Sequence, residues 1–139
     1  MSASQAMKTL VGFTNFQSRL GKLQDQWIAV HGISFREFLI MYYLQESPTK
    51  NLKRIDLAEQ VGLSASGVTR LLNPMEKIGL IAKEESARDA RVSLVTLTLA
   101  GETLFKDAEK SFNERAKGFF ATLEESQRSA LRELSQLRI

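Results

Sequence analysis

The stretch RIDLAEQVGLSASGVTRLLNPMEKIG, residues 54–79, predicts two short helices joined by a tight turn. In its first half Leu57 and Val61 recur at a helical spacing of four, and Gly62 then ends the pattern. Ser64 follows as a good N-cap, because its hydroxyl can accept a hydrogen bond from an otherwise unpaired amide of the next helix. The stretch therefore predicts a helix-turn-helix unit.

The second predicted helix has one aliphatic face and one polar face. The aliphatic face, which we expect to point inward, consists of Val68, Leu71, Leu72, Met75 and Ile78. The outward face consists of Ser66, Gly67, Thr69, Arg70 and Asn73. Small polar groups and one arginine on an exposed helix suit the major groove of DNA. Considered alone, however, the stretch is equally compatible with a helical hairpin that has no role in DNA binding.

After Gly79 the sequence pattern changes from helix to strand. Residues 80–85 and 91–98 are rich in β-branched side chains and predict two strands. Residues 86–90, which carry both signs of charge, predict the turn between them. A β-hairpin directly after a recognition helix forms a wing.

The tip of this predicted wing carries the charged residues Arg88, Asp89 and Arg91. A wing tip can place an arginine in the minor groove next to the recognition helix, and Arg88 and Arg91 are the candidates. Alternatively, Asp89 and Arg91 form only a local salt bridge that orders the turn, worth under about 1 kcal/mol if exposed.

Long amphipathic helices flank this winged core. Residues 4–30 show apolar side chains at spacings of three and four. The residues after Thr98 do the same, and Thr98 can cap the helix that they form. Their apolar surface exceeds what a small winged core requires. We therefore expect one domain in which residues 34–98 form the winged helix-turn-helix and residues 1–33 and 99–139 form a helical dimerisation layer.

Between the first helix and the helix-turn-helix, Ser34 and Glu37 predict a capping box. The helix that they open, residues 35–45, carries apolar side chains on all sides and should be buried centrally. Residues 47–51 predict a polar connector, which Pro48 keeps out of the helix.

Composition excludes several kinds of chemistry. The 139 residues include no cysteine, which excludes disulfides, thiolate catalysis and Cys-ligated zinc. His31 is the only histidine, so a multi-His metal site or a His-dependent triad would need other residue types or a second subunit. No set of residues combines a nucleophile, a base and an orienting group at a recognisable spacing. We therefore expect no enzymatic activity, no cofactor and no metal.

Charge and hydropathy are those of a water-soluble chain. The net charge of +3 and the pI near 9.3 permit nucleic acid as a partner without requiring it. The first sixteen residues show no signal-peptide pattern, and the longest apolar run, residues 38–44, is too short to span a bilayer. We expect a cytoplasmic protein with no membrane partner.

Over nearly its full length the chain resembles the MarR family of bacterial transcription regulators. The resemblance lies in LAEQVGLSASGVTRLLNPMEKIGLI, residues 57–81, and DARVSLVTLTLAG, residues 89–101. The second segment is the more specific, because an Asp-x-Arg wing followed by Leu97-Thr98 and Gly101 is a family hallmark. The resemblance implies a mainly α (α+β) fold: a homodimeric winged helix-turn-helix with interlocked outer helices.

The resemblance also implies roles for individual residues on double-stranded DNA. Two recognition helices would enter successive major grooves of a pseudo-palindrome. The residues implied to meet bases or phosphates are Ser64, Ser66, Thr69 and Arg70. Arg91 is implied to reach a minor groove, and Asp89 to brace the wing. Two departures from the family pattern limit this transfer: Pro74, which should kink the second helix, and Ala90, which often is arginine in relatives.

Many family members release DNA when a small anionic aromatic compound binds between the dimer helices and the winged domain. Trp27, His31 and Tyr42 flank that junction and are the candidate effector residues. For Tyr42 a role as a core aromatic with a satisfied hydroxyl remains open. The expected function is a homodimeric repressor. The alternative is a winged helix that docks a protein partner and does not bind DNA.

Overall fold

Helices make up most of the chain, and a small antiparallel sheet lies among them. A computed structural model describes residues 1–85, 88–89 and 92–139. The elements in these ranges are α1 (Ala3–Ala29), α2 (Phe35–Glu46), β1 (Asn51–Lys53), α3 (Arg54–Val61), α4 (Ala65–Lys77), β2 (Ile81–Glu85), β3 (Ser93–Leu97), α5 (Leu99–Ala121) and α6 (Glu125–Ser135). This order confirms the predicted mainly α class with a winged helix-turn-helix between outer helices.

Helix α2 is the central element of the core. Its capping box forms as predicted: Glu37 N donates to Ser34 Oγ at 3.1 Å, and Ser34 N donates to Glu37 Oε1 at 2.8 Å. The buried residues of α2 are Phe38, Ile40, Met41 and Leu44. They pack in one cluster with buried residues of the helix-turn-helix, the wing and α5. This shared core therefore packs α4, the predicted recognition helix, together with the outer helices α1 and α5.

The three strands lie in the order β1-β3-β2, and both neighbouring pairs are antiparallel. Strands β2 and β3 form the predicted wing, in which Ile81 lies opposite Leu97 and Glu85 opposite Ser93. The prediction of a polar connector over residues 47–51 was wrong at Asn51, which together with Leu52 and Lys53 pairs with β3 as β1. A three-residue strand is too short to show alternation, and it depends on the partner strand for its hydrogen bonds.

The start of α5 fits closely against the base of the wing. Thr98 Oγ1 accepts from Gly101 N at 3.0 Å as the N-cap and donates to the Gly79 carbonyl. Gly101 is buried, and a Cβ built on it would lie 2.1 Å from the Leu80 carbonyl oxygen. Only a residue without a side chain allows α5 to approach the wing this closely.

The outer helices leave a large apolar surface uncovered in a single chain. Met7, Leu10 and Val11 are 62%, 68% and 55% exposed on α1, and Leu134 is 50% exposed on α6. Near its C-terminal end α1 packs against the core, where Ile28 is fully buried. Within the described residues no helix combines the length and apolar character needed to cross a membrane.

Candidate nucleic-acid interface

The turn between α3 and α4 has the geometry that the sequence predicts. Gly62 adopts a left-handed conformation with φ +72°, which ends α3 and which side chains disfavour. Leu63 N then donates to the Ala58 carbonyl at 2.9 Å. Ala58 itself is only 3% exposed. The two helices are thus joined by a tight turn that backbone hydrogen bonds close.

Ser64 caps α4, as predicted. Its Oγ accepts from Gly67 N at 3.0 Å and lies 3.2 Å from Ser66 Oγ. A side chain on residue 67 would place a Cβ 3.1 Å from the same Ser64 Oγ, so glycine leaves room for the cap. The N-terminus of α4 therefore carries two adjacent hydroxyls and a glycine on its exposed side.

The inward face of α4 matches the prediction except at its end. Val68, Leu72 and Met75 are fully buried, and Leu71 is half-buried. Ile78 is 64% exposed, so its assignment to the inward face was wrong. The reason is that α4 ends at Lys77 and Ile78 is its C-cap, where the helical period no longer applies.

The outward face of α4 is accessible. Ser66, Arg70 and Asn73 are exposed, whereas Gly67 and Thr69 are half-buried. These three exposed side chains are spaced by four and three residues, so they share one side of the helix. They form the surface that we call the reading face.

Pro74 lies within α4, and the helix continues beyond it to Lys77. Proline removes one amide from the helical ladder, but its own carbonyl accepts from Ile78 N at 3.1 Å. The helical hydrogen bonding therefore resumes after Pro74, and Asn73 stays within the helix.

Arg54, on α3, contacts the recognition helix α4 at a position that the sequence pattern did not indicate. Its Nη1 donates to Thr69 Oγ1 at 2.8 Å and lies 3.4 Å from the Ala65 carbonyl oxygen. Thr69 Oγ1 in turn donates to the Ala65 carbonyl at 2.9 Å. Because the two partners are fifteen residues apart, no local pattern could reveal the contact.

The contact of Lys83 with α4 was also not predicted from the sequence, because it joins two different elements. Lys83 shares one face of β2 with the buried Ile81, since side chains alternate along a strand, and this face meets α4. Its Nζ donates to Asn73 Oδ1 at 2.8 Å and lies 3.8 Å from Glu76 Oε1. The wing thereby contacts the reading face directly.

The wing tip is only partly described. Arg88 is exposed and Asp89 is half-buried, and the Asp89 carbonyl accepts from Val92 N at 3.0 Å. Arg91, the predicted minor-groove residue, lies outside the described residues, as does its suggested salt bridge with Asp89. Arg88 and Asp89 lie on the hairpin that adjoins α4, as the sequence pattern predicts.

The candidate effector residues all lie near α5. The Trp27 ring packs edge-on against Phe112 at a centroid distance of 5.5 Å. His31 Nε2 lies 2.6 Å from Ser111 Oγ. Tyr42, which is 39% exposed, borders a cleft of about 210 Å³ between α2 and α5. The residues that line this cleft are Phe35, Phe38, Leu39, Tyr42, Glu109, Phe112 and Asn113. Trp27 and His31 are not among them, but Phe112 connects Trp27 to the cleft.

A second, larger cleft of about 450 Å³ lies between α1 and α2. Its lining includes the cations Lys22 and Arg36, the acid Asp25 and the ring of Phe35. Asp25 Oδ1 accepts from Phe35 N at 2.9 Å. Phe35 borders both clefts and stacks on Phe112 at 5.4 Å.

A family model described as the MarR family matches residues 31–92. The chain is 28% identical over 103 residues to the uncharacterized HTH-type transcriptional regulator YhbI of Bacillus subtilis (strain 168). That match covers 74% of this chain and spans 66% of the relative's length.

Solved structures share the fold over most of the chain. Sco3205, a MarR family transcriptional regulator from Streptomyces coelicolor solved in complex with DNA, superposes with a TM-score of 0.83 at 19% identity. The match covers 98% of this chain and 86% of that one. The PcaV regulator from the same organism, solved with its natural ligand, gives 0.75 at 19% identity over 87% and 86% of the two chains. Residues 31–92 of the chain thus match the MarR family, and the chain shares the fold of MarR family transcriptional regulators of known structure.

Proposed function

We propose that this protein is a transcriptional regulator that binds a pseudo-palindromic operator as a homodimer and represses transcription. The observation that carries the proposal is the reading face. Its three polar side chains are exposed on the capped helix α4, whose opposite face is buried in the core. Arg70 is the residue best suited to read a base, because its guanidinium can donate two hydrogen bonds to guanine O6 and N7. Sco3205, which shares this fold, was solved on DNA.

The homodimer is supported by the uncovered apolar surface of α1 and α6. A monomer in water would leave side chains such as Leu10 and Leu134 exposed to solvent, at a cost that burial in an interface removes. A twofold axis would also duplicate the reading face. Two recognition helices can then contact half-sites whose centres lie roughly one helical turn of DNA apart.

In this proposal Ser64 and Ser66 contact phosphates at the start of α4, and Thr69 and Arg70 contact base edges. Arg88 and Arg91 extend the contact from the wing, with Arg91 in the minor groove and Asp89 bracing the hairpin. These roles require no catalytic chemistry.

The test is selection of bound duplexes from random DNA, followed by affinity measurement on the selected site. We expect an inverted repeat that is bound with a steep dependence on salt. Arg70→Ala should weaken binding by about 1 to 3 kcal/mol and relax the preference at one position of each half-site. Arg91→Ala should weaken binding evenly across sequences. Lys106→Met, which removes one exposed charge from α5, serves as the control.

Two results would contradict the proposal. If selection enriches no sequence and the protein sediments as a monomer, the winged helix does not act as a dimeric DNA reader. Docking of a protein partner would then be the better interpretation. A selected site whose binding is unaffected by both arginine substitutions would show instead that another surface reads the DNA.

We also propose that a small aromatic carboxylate regulates DNA binding. The PcaV structure, which shares the fold, holds a natural ligand. In this chain the cleft between α1 and α2 suits an aromatic anion better than the cleft beside Tyr42. Two cations, Lys22 and Arg36, outnumber the one acid, Asp25, in the first lining, whereas the described lining of the second has the acid Glu109 and no cation. Trp27 and His31 would respond through α5 rather than by direct contact.

A further inference from the structure

We infer that Lys83 sets the hydrogen-bond polarity of Asn73, so that Asn73 presents N–H donors to the major groove and selects guanine. The inference deepens the proposed function and rests on it. It concerns one position of each half-site and assigns a positioning role to a wing residue that lies on a different element from the reading face.

The contact joins the wing to the recognition helix. Lys83 Nζ lies 2.8 Å from Asn73 Oδ1 and 3.8 Å from Glu76 Oε1, so the ammonium is held between an amide oxygen and a carboxylate. The Lys83 side chain is 29% exposed and that of Glu76 is 44% exposed. The lysine is thus partly covered by its two partners on α4.

The chemistry of the two groups fixes which end of the amide faces the lysine. An ammonium group has three donors and no acceptor, so it can bond only to the oxygen of the Asn73 amide. The Nδ2 atom, with two N–H donors, then lies at the other end of the planar group. Asn73 is exposed on the same side of α4 as Arg70, and its donors are therefore offered to a ligand on the reading face.

Base edges differ in how they match these donors. An asparagine that is not otherwise held pairs with adenine, accepting from N6 and donating to N7. Lys83 takes one lone pair of the Asn73 oxygen and holds that end of the amide toward the wing, so Asn73 meets the groove mainly as a donor. Guanine offers two acceptors in the major groove, N7 and O6, whereas cytosine offers a donor, N4. We therefore expect guanine at the position that Asn73 meets.

Lys83 could orient the Asn73 amide or merely attach the wing to α4, and two substitutions distinguish these roles. Asn73→Asp keeps a partner for Lys83, now as an ion pair, but replaces the outward donors with a carboxylate acceptor. Lys83→Met removes the ammonium and leaves the amide able to turn. Lys106→Met, on α5, is the charge-matched control. Each variant is subjected to the same selection from random duplex DNA as the native protein, after its thermal unfolding has confirmed that it is folded.

For Asn73→Asp we expect the base at one symmetric position to change from guanine to cytosine, because a carboxylate accepts from cytosine N4. Its affinity for the original site should fall by about 5- to 150-fold. For Lys83→Met we expect adenine to become as acceptable as guanine at that same position, with the other positions unchanged. The control should select the native sequence.

Several results would overturn the inference. Uniform weakening of all sequences by Asn73→Asp would place Asn73 at a phosphate. Retained guanine selectivity in Lys83→Met would show that the lysine does not set the polarity of the amide. If the native protein selects an inverted repeat and neither variant alters it, the inference alone fails. If the native protein selects nothing, the proposed function fails and the inference fails with it.

Discussion

Arg54 donates from Nη1 to Thr69 Oγ1 over 2.8 Å, which joins the first residue of α3 to the side of the recognition helix. The Thr69 hydroxyl proton is used in turn, since Oγ1 donates to the Ala65 carbonyl at 2.9 Å. Thr69 can therefore offer DNA its methyl group and an acceptor lone pair, but not a donor. A methyl group suits contact with thymine.

Thr69→Val tests the structural part of this relationship. Valine keeps the shape of the side chain but removes one acceptor of Arg54, which then retains the more distant carbonyl of Ala65 at 3.4 Å. We expect the free energy of unfolding to fall by about 1 kcal/mol, because a partly buried charged donor loses its best partner. Urea denaturation measures the change.

The comparison with Arg54→Met decides whether the contact is responsible. If it is, the double variant should be less destabilised than the sum of the two single variants by at least about 0.5 kcal/mol. Strict additivity would mean that Arg54 and Thr69 contribute independently and that the contact adds little stability.

Gly101 is the position where the close approach of α5 to the wing can be tested. Gly101→Ala would place a Cβ 2.1 Å from the Leu80 carbonyl oxygen, and a backbone atom cannot move aside as a side chain can. We expect a loss of at least about 2 kcal/mol in unfolding free energy, measured by thermal or urea unfolding.

Gly118 provides the matched control on the same helix. A Cβ there meets no atom within 4 Å, so Gly118→Ala should stabilise the protein by about 0.5 to 1 kcal/mol through helix propensity. Equal effects of the two substitutions would show that the packing at Gly101 is looser than the structure indicates.

Sequence reasoning succeeded where the determining residues lie within one helical turn of each other. Ser34 with Glu37, Ser64 with Gly67 and Thr98 with Gly101 are all caps of this kind. Their chemistry is local, so the helix starts at residues 35, 65 and 99 followed from the sequence. The wing was also predicted, since its β-branched residues are contiguous.

Features that depend on distant partners were not predicted. Strand β1 exists because β3, more than forty residues later, supplies its hydrogen bonds. Lys83 contacts Asn73 across the junction of strand and helix, ten residues away. Neither the strand pairing nor the Lys83 contact produces a periodic pattern in the sequence, because each depends on how distant elements pack together. The roles of Arg88, Asp89 and Arg91 at the wing tip stay predictions.

Leu10→Glu tests the proposed dimer. Leu10 is 68% exposed on α1, so a charge should be tolerated in a monomer, but in an apolar interface it would be buried without a partner. We expect the dimer dissociation constant to rise by about 100-fold or more, measured by light scattering over a dilution series.

Asn15→Glu, at an exposed polar position of the same helix, adds the same charge and should leave the mass unchanged. A native protein that scatters as a monomer at micromolar concentration would contradict the dimer directly. A Leu10→Glu dimer as tight as the native one would place the interface elsewhere.

Trp27, the only tryptophan, can report the binding of an effector through its fluorescence. Phe35 borders the cleft between α1 and α2 and stacks on Phe112 at 5.4 Å, and Phe112 packs against Trp27 at 5.5 Å. An aromatic carboxylate that displaces Phe35 should therefore change the emission of Trp27. Salicylate is a suitable first probe.

If the carboxylate binds between Lys22 and Arg36, then Arg36→Met should weaken the titration by about tenfold through loss of a charge-assisted hydrogen bond. Tyr42→Phe, in the neighbouring cleft, should leave it unchanged. The opposite pattern would assign the ligand to the cleft beside Tyr42, where the Glu109 side chain would have to turn away to admit an anion. Unchanged Trp27 emission across a series of phenolic acids would contradict the proposed effector class. The reason is that Phe35 stacks on Phe112 and Phe112 packs against Trp27, so a ligand that displaces Phe35 should alter the surroundings of the indole.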